Sequence, residues 1–357
     1  MKPSSLYIHI PFCSHKCLFC SFAIAVSQTH RADDYLNQLE MEAKSYQGSL
    51  LETVYVGGGT PSLLSQGQLQ RLMGIIKNKF SLQRDCEITI EANPESIDEN
   101  KATTIKSLGF NRISLGMQSL DDRYLKFLGR RHSAAQAQQA YALLRKVGFD
   151  NINLDLMYGF PSQTEQELEA DVRAIASLGS EHLSLYTLTI EPNSRFHAQA
   201  LKLDDDQKLA GHYQRVIRIL KEYGFKQYEI SNFSKPGFES KHNRNYWLGE
   251  RYIGLGMGAH GFIGNRRYWN ASKLADYLSK EDAVEGFEDL NDQTLATEKV
   301  LFGLRMNDGI PMSLVPSDKK SAIDDFLQQG FLVKEGSRLK VTDQGRLVLD
   351  ELSVRLV

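Results

Sequence analysis

Three of the four cysteines in this 357-residue chain lie close together near its start, at Cys13, Cys17 and Cys20. Thiolates this crowded suit a soft metal site, such as an iron–sulfur cluster, zinc or Cu(I). A [4Fe-4S] cluster held by three thiolates keeps one iron open to a small chelating ligand. The C-x3-C-x2-C spacing therefore predicts a metal centre, with an iron–sulfur cluster as the favoured occupant.

Zinc is the main alternative occupant, because His9, His15 or Cys86 could act as a fourth ligand. Zinc sites usually pair two C-x2-C halves, and the sequence contains no second half. A disulfide is disfavoured, since cysteines that are crowded and odd in number suit a reducing compartment.

The cysteine motif, with the aromatic Phe19 just before its last cysteine, resembles the signature of radical S-adenosylmethionine (SAM) enzymes. In that superfamily the open iron binds the amino and carboxylate groups of SAM. The resemblance implies a [4Fe-4S] cluster on Cys13, Cys17 and Cys20, with SAM as a second cofactor.

Strand-like segments alternate with helical patterns along the chain, and the cysteine loop follows the first strand. The strands are predicted at Leu6–Ile10, Thr53–Val56, Glu87–Glu91, Arg112–Leu115, Asn151–Leu156 and Leu183–Leu188. The helix between the second and third strands is predicted over 65–79, with Ser65 as its N-cap. Such alternation indicates a parallel sheet with helices outside it. About six units predict an α/β fold with a partial (β/α)6 barrel, short of a closed eight-stranded one.

Unusual residues follow the strands at their carboxyl ends: Gly57–Gly59, Glu91, Gln118 and Asp155. The active sites of α/β barrels are built at these ends, so we expect the residues to converge on one mouth beside the metal. The glycine run lets a charged ligand approach bare backbone, or it simply makes a tight turn. The polar residues could instead cap helices or lie on the surface.

Several longer segments together resemble the oxygen-independent coproporphyrinogen III oxidase family and, within it, the HemW branch of haem chaperones. They are Tyr7–Cys13, Gly57–Ser62, Ser114–Ser119, Asp155–Pro161 and His242–Trp247. Two departures separate the chain from the oxidases. Phe22 stands where they carry a fourth cysteine, and only six residues precede Tyr7, where they carry an N-terminal extension. Coproporphyrinogen dehydrogenase activity is therefore not expected, although whether the protein is an enzyme of another kind stays open.

The resemblance also implies site residues. The residues expected to contact SAM are Tyr7, Phe19, Gly58, Glu91, Gln118, Arg130 and Asp155. In the HNxxYW motif, His242 is expected to bind haem, because imidazole is a common axial ligand of haem iron. Tyr246 and Trp247 could line an apolar porphyrin face. The alternatives are that His242 is structural or that His260 is the haem ligand.

The leading functional hypothesis is a haem chaperone that binds haem, carries a SAM-ligated [4Fe-4S] cluster and delivers haem to acceptor proteins. Membrane respiratory enzymes are candidate acceptors, and the cluster needs a reductant. The second hypothesis is an oxidase, or another radical SAM enzyme that abstracts hydrogen from its substrate. The third, from another class, is a zinc-stabilised binding module.

The chain is predicted to divide into a barrel (1–235), a connecting region with the haem motif (236–290) and a C-terminal accessory domain (291–357). The last resembles a winged helix of α+β type. From residue 317 onward the sequence contains seven Lys or Arg residues and seven Asp or Glu residues, and the net charge of the chain is −2. We therefore expect no nucleic-acid partner.

Residues 1–5 predict no signal peptide, and no apolar run has transmembrane length. A cytoplasmic protein is expected, with any contact to the inner membrane made through partners.

Overall fold

The structure is a computed structural model that describes residues 3–357. The signal-peptide prediction rests partly on Met1 and Lys2, which lie outside the described residues. The strands are β1 (Ser5–Ile10), β2 (Phe12–Cys13), β3 (Ala25–Val26), β4 (Leu50–Gly58), β5 (Ser81–Ala92), β6 (Arg112–Gln118), β7 (Ile152–Tyr158), β8 (His182–Thr187), β9 (Lys226–Gln227), β10 (Asn232–Ser234), β11 (Tyr252–Leu255), β12 (His260–Ile263), β13 (Arg266–Asn270), β14 (Val284–Asp289), β15 (Ile310–Pro311), β16 (Leu332–Glu335) and β17 (Arg338–Val341). The α-helices are α1 (Ala32–Ala43), α2 (Gln66–Lys79), α3 (Glu99–Leu108), α4 (Asp122–Leu128), α5 (Ala134–Lys146), α6 (Glu165–Ser177), α7 (Arg195–Ala198), α8 (Asp206–Glu222), α9 (Lys241–Trp247), α10 (Leu274–Ser279), α11 (Asp292–Gly303), α12 (Lys320–Gln328) and α13 (Leu349–Leu356).

The large sheet has the strand order β14-β13-β12-β11-β1-β4-β5-β6-β7-β8-β10-β9. Neighbours from β11 to β8 run parallel, and the pairs outside them are antiparallel. Among residues 3–357 no pairing joins β9 to β14, so the sheet curves without closing. The parallel strands β1, β4, β5, β6, β7 and β8 are the six that the sequence predicts. The partial (β/α)6 barrel is therefore confirmed.

Local signals place several element ends where the sequence predicts them. Ser65 caps α2, and a capping box joins it to Gln68. The strand β5 differs from its prediction: it begins at Ser81 rather than Glu87, so Cys86 lies within the strand and not before it. The HNxxYW motif lies on a helix, α9.

Strands β11–β14 extend the sheet beyond β1, which the sequence did not predict. Tyr7 of β1 pairs with Gly254 of β11. A Cβ atom on Gly254 would lie 1.8 Å from the carbonyl oxygen of His260, and one on Gly256, whose φ is +99°, would lie 2.5 Å from the carbonyl oxygen of His9. These glycines therefore allow a close approach between backbone segments.

A buried carboxylate, Glu42 of α1, holds this added region against the barrel. Its oxygens accept hydrogen bonds from the Gly256 amide (3.0 Å), the Tyr277 hydroxyl (2.7 Å) and the Asn270 amide (2.6 Å). Burial raises the pKa of Glu42 to about 7, although these hydrogen bonds oppose the shift. The contact links α1 with β11, β13 and α10.

The C-terminal part has its own small sheet, in the order β15-β17-β16, and its own apolar core around Leu304, Phe326 and Leu352. This α+β arrangement agrees with the predicted accessory domain. The division at residues 235 and 290 stays a prediction. Among the described residues, no helix combines the length and the apolar character that crossing a membrane requires.

Candidate functional site

The main cavity has a volume of about 570 Å³ and lies at the carboxyl ends of the parallel strands. It brings together most of the residues predicted as cluster or SAM ligands. These are Cys13, Cys17, Phe19, Cys20, Gly58, Glu91, Gln118, Arg130 and Asp155. Tyr7 and His242 do not line it. The convergence on one mouth follows from the parallel strand order, because most of these residues lie at or just beyond a carboxyl end; Asp155 lies within β7, and Arg130 follows α4.

Backbone hydrogen bonds clamp the cysteine loop from two sides. The Leu18 amide donates to the Leu128 carbonyl, and the Phe196 amide donates to the Leu18 carbonyl, each at 3.0 Å. Gly129 has a φ of +74°, and a Cβ atom there would approach Leu18 Cγ to 3.0 Å. The loop is thus held by the end of α4 and the start of α7 through close packing at Leu18.

The thiols lie next to polar and cationic groups in the main cavity. The Cys13 Sγ is 3.6 Å from the Thr60 hydroxyl, and the Cys17 Sγ is 3.6 Å from an Arg130 nitrogen. Burial raises the pKa of Cys13 to about 11 and also raises the pKa of Cys20. Three free thiols on one clamped loop, facing a cavity with a cation beside them, fit an iron–sulfur cluster. Within residues 3–357, no three His, Cys, Asp or Glu side chains converge closely enough to hold a single metal ion.

The glycine run at the end of β4 allows close packing against neighbouring groups. A Cβ atom on Gly57 would lie 2.9 Å from the Glu91 carboxyl, and one on Gly58 would lie 2.6 Å from the His9 ring. A Cβ atom on Gly59 would meet backbone 2.7 Å away. Contacts with neighbouring protein atoms therefore leave no room for a side chain at these three positions. The bare backbone of Gly58 and Gly59 also lines the main cavity.

Two carboxyl groups, Glu91 of β5 and Asp155 of β7, face the main cavity. Glu91 accepts hydrogen bonds from the Tyr55 hydroxyl (2.8 Å) and the Gly58 amide (2.9 Å). The Asn153 amide donates to Asp155 at 2.7 Å. Burial raises the pKa of both groups, that of Asp155 to about 7, where the charge of Glu91 adds to the effect. A cationic ligand between them would favour their ionised forms.

Gln118 and Arg130 are held at the same mouth by unusual local contacts. Gln118 ends β6 in the left-handed region, with a φ of +68°, which costs energy for a residue other than glycine. Arg130 donates to the Asn93 side-chain oxygen (2.7 Å) and to the Gly116 carbonyl (3.0 Å). The Arg130 side chain therefore has a defined position before any ligand binds.

A second, smaller space of about 310 Å³, the side cavity, adjoins the main cavity near β1 and β11. The two cavities share Phe22, Gly58 and Glu91. The other residues that line the side cavity are Tyr7, His9, Ala23, Tyr246, Tyr252, Gly258 and His260. Tyr7 is thus placed beside the predicted SAM residues but opens on the side cavity.

His242 lines neither cavity. Its side chain is buried, with only 1% of the residue exposed, and both ring nitrogens have partners. Nδ1 lies 2.8 Å from the Thr53 hydroxyl, and Nε2 lies 2.9 Å from the Tyr246 hydroxyl. Burial lowers the pKa of His242 to about 3, and the nearby Arg112 adds to this. The arrangement offers no open nitrogen to a haem iron, so the predicted ligand role has no geometric support and stays a prediction.

Comparisons with known proteins agree with the sequence resemblance. The radical SAM superfamily model matches residues 7–175, and the HemN C-terminal domain model matches residues 290–348. Proteins called heme chaperone HemW are similar along nearly their whole length. The relative from Bacillus subtilis is 36% identical over 98% of this chain and 97% of its own. The one from Escherichia coli is 34% identical over 99% and 97%. The chain belongs to the HemW family of radical SAM proteins.

The chain also shares its architecture with an oxidase. A solved structure of coproporphyrinogen III oxidase (HemN) from Escherichia coli matches 99% of this chain and 90% of its own, with a TM-score of 0.88 and 26% identity. In this HemW-family chain, Phe22 is 63% exposed and borders both cavities. The position where the sequence analysis expects a cysteine in the oxidases is therefore apolar and accessible here.

Some residues of the site were missed by sequence reasoning. Tyr186 and Glu191 line the main cavity at and beyond the end of β8, and the rule that found Asp155 could have found them. Arg112 is buried inside the barrel on β6, with 1% exposure and no hydrogen-bond partner for its Nε among the described residues. The signal that could have identified Arg112 is its charge, which is unusual at the start of a predicted buried strand.

Proposed function

We propose that the protein binds haem, carries a [4Fe-4S] cluster ligated by SAM, and delivers haem to acceptor proteins. The observation that carries this proposal is similarity along nearly the whole chain to proteins called haem chaperones, 35% identity in the case of Lactococcus lactis. In this proposal the main cavity, which the cysteine loop borders, holds the cofactors, and the adjoining side cavity takes part of the haem.

In this proposal Cys13, Cys17 and Cys20 hold the cluster, and the polar groups of the main cavity hold SAM. SAM carries an ammonium, a carboxylate, a sulfonium and ribose hydroxyls. Glu91 and Asp155 suit the cationic and hydroxyl groups, and Arg130 suits the carboxylate. When cluster and SAM are both bound, the cluster can supply an electron to SAM.

The remaining predicted contacts have more limited parts. Phe19 and the bare backbone of Gly58 shape the cavity, and Gln118 offers an amide at its rim. Tyr7 supports Glu91 indirectly, because its ring stacks on Tyr55, whose hydroxyl donates a hydrogen bond to Glu91. The Tyr7 hydroxyl itself lies 3.0 Å from His9 Nδ1.

Haem acceptors in this proposal include respiratory enzymes of the inner membrane, reached from the cytoplasmic side. The accessory domain at 291–357 and the connecting region at 236–290 would then present or cover the cargo. A dedicated electron donor would reduce the cluster. We propose no porphyrinogen oxidation, because the exposed Phe22 stands where the resemblance places a fourth cysteine in the oxidases.

The test is anaerobic reconstitution with iron and sulfide, followed by separate titrations with SAM and with haem. The proposal expects both ligands to bind saturably to the same preparation. Stoichiometric zinc in anaerobically purified protein, with neither ligand bound, would support the zinc-stabilised module instead.

A further inference from the structure

The histidines that line the two cavities differ in how their ring nitrogens are used. His9 has both nitrogens engaged, at 3.0 Å from the Tyr7 hydroxyl and 2.8 Å from the Ala23 carbonyl. His15 contacts Ser14 at 3.1 Å and Cys17 at 3.6 Å. His260 is exposed, and its ring makes no hydrogen bond within residues 3–357. It is therefore the histidine with nitrogens open towards a cavity.

The surroundings of His260 suit a flat, largely apolar ligand that carries a metal. The ring of Tyr246 meets that of Tyr252 edge to face, with centroids 4.7 Å apart, and both border the side cavity. Phe22, which is 63% exposed and follows the cysteine loop, adds an accessible apolar ring to the same lining. The His260 ring itself lies 6.1 Å from that of Trp269 across the β12–β13 pair. The polar groups of His9 and Glu91 in the same lining have hydrogen-bond partners within the protein, so the aromatic rings remain to contact a planar cofactor.

We propose that His260, not His242, is the protein ligand of the haem iron, and that an edge of the porphyrin enters the side cavity between Phe22 and Tyr252. This inference rests on the proposed haem binding and names the residue that performs it. Neutral imidazole is a common axial ligand, and His260 has a free nitrogen for that bond.

The same geometry gives His242 a different part, as a positioning residue. Its Nε2 lies 2.9 Å from the hydroxyl of Tyr246, which borders the side cavity, and its ring stacks on Tyr55 at 5.2 Å. Loss of His242 would disturb the cavity wall without removing the iron ligand. The HNxxYW motif would then affect haem affinity indirectly.

The experiment compares ferric haem binding by full-length wild type, His260→Ala, His242→Phe and the control His197→Ala, which changes an exposed histidine on α7. Absorbance titration gives affinity, and the Soret band with electron paramagnetic resonance reports axial ligation. We expect His260→Ala to weaken haem binding by about tenfold or more and to change the spin state. Added imidazole should restore the wild-type spectrum, which a merely structural role would not allow. We expect His242→Phe and His197→Ala to keep the wild-type spectrum.

The outcomes separate this inference from the proposed function. If wild type binds no haem, the proposed function fails with it. If wild type binds haem and His260→Ala has the same affinity and spectrum, the proposed function stands and the ligand assignment is overturned. A spectrum lost in His242→Phe but kept in His260→Ala would return the ligand role to His242. Circular dichroism and SAM titration establish that each variant is folded.

Discussion

The Nε2 atom of His242 lies 2.9 Å from the hydroxyl oxygen of Tyr246, a residue one helical turn further along α9. The other ring nitrogen lies 2.8 Å from the Thr53 hydroxyl on β4. The imidazole thus joins α9 to the barrel and supports one wall of the side cavity. A motif that resembles a haem-ligand signature acts, in this geometry, as a buried connection.

Replacing His242 by Ala should destabilise the protein. The change leaves a space and removes the partner of two hydroxyls, one of them buried, which we expect to lower the free energy of unfolding by about 2–4 kcal/mol. Haem affinity should fall modestly through the displaced Tyr246. Thermal unfolding and haem titration measure the two effects, with Tyr246→Phe as a control that removes one hydrogen bond only. Wild-type stability in His242→Ala would contradict the structural role.

The cluster should depend on three thiols and not on the fourth. We expect Ser at position 13, 17 or 20 to abolish retention of a four-iron cluster, since each of Cys13, Cys17 and Cys20 faces the main cavity. Cys86→Ala is the matched control, because Cys86 is buried within β5 and behaves as a small apolar residue. Iron and sulfide analysis after anaerobic reconstitution measures this. Full iron content in any of the three Ser variants would refute the ligand assignment.

Glu91→Gln should weaken SAM binding by on the order of tenfold while leaving the cluster in place. The substitution keeps the size of the side chain but removes the negative charge. Its single oxygen can still accept from the Gly58 amide, while its NH2 group can only donate to the Tyr55 hydroxyl, reversing that bond. Calorimetry on reconstituted protein gives the affinity. Glu95→Gln serves as the control, because Glu95 lies near the same strand end but bonds His132 outside the cavity lining. Equal SAM affinities for wild type and Glu91→Gln would remove Glu91 from the site.

Asp155 should make the SAM-free protein less stable as the pH rises. Burial, with the charge of Glu91, raises its pKa from 3.8 to about 7 in the folded state. The folded state therefore holds the proton more tightly, and the stabilising contribution, complete below the unfolded pKa, is lost as the pH rises through about 7. Asp155→Asn should raise the thermal midpoint more at about pH 8 than at about pH 5, and it should weaken SAM binding. A pH-independent difference between the two proteins would count against the buried ionisation.

Much of the barrel could be predicted because its signals are local. Ser65 and Gln68 form a capping box whose residue types and spacing can be recognised in the sequence. Glu91 and Asp155 each follow an apolar run that predicts a strand. The spacing of Cys13, Cys17 and Cys20 predicts a metal centre, and the structure places all three in the lining of the main cavity. These features depend on neighbouring residues in the chain, so the sequence carries them directly.

The rest depends on contacts between distant residues. The pairing of Tyr252–Leu255 with β1 joins segments more than two hundred residues apart, and strand preference does not specify a partner. Whether His242 faces a cavity or the interior depends on Thr53 and Tyr55, which the motif does not contain. The importance of His260 appears only when its free ring is compared with the engaged rings of His9 and His15.

The most direct test of a haem chaperone, as opposed to a porphyrinogen oxidase, is made on one anaerobic preparation with cluster and SAM bound. Haem titration by absorbance is followed by incubation with coproporphyrinogen and a reductant, and the porphyrin products are then separated and identified. The account predicts saturable haem binding and no protoporphyrinogen. Robust formation of protoporphyrinogen without saturable haem binding would contradict it.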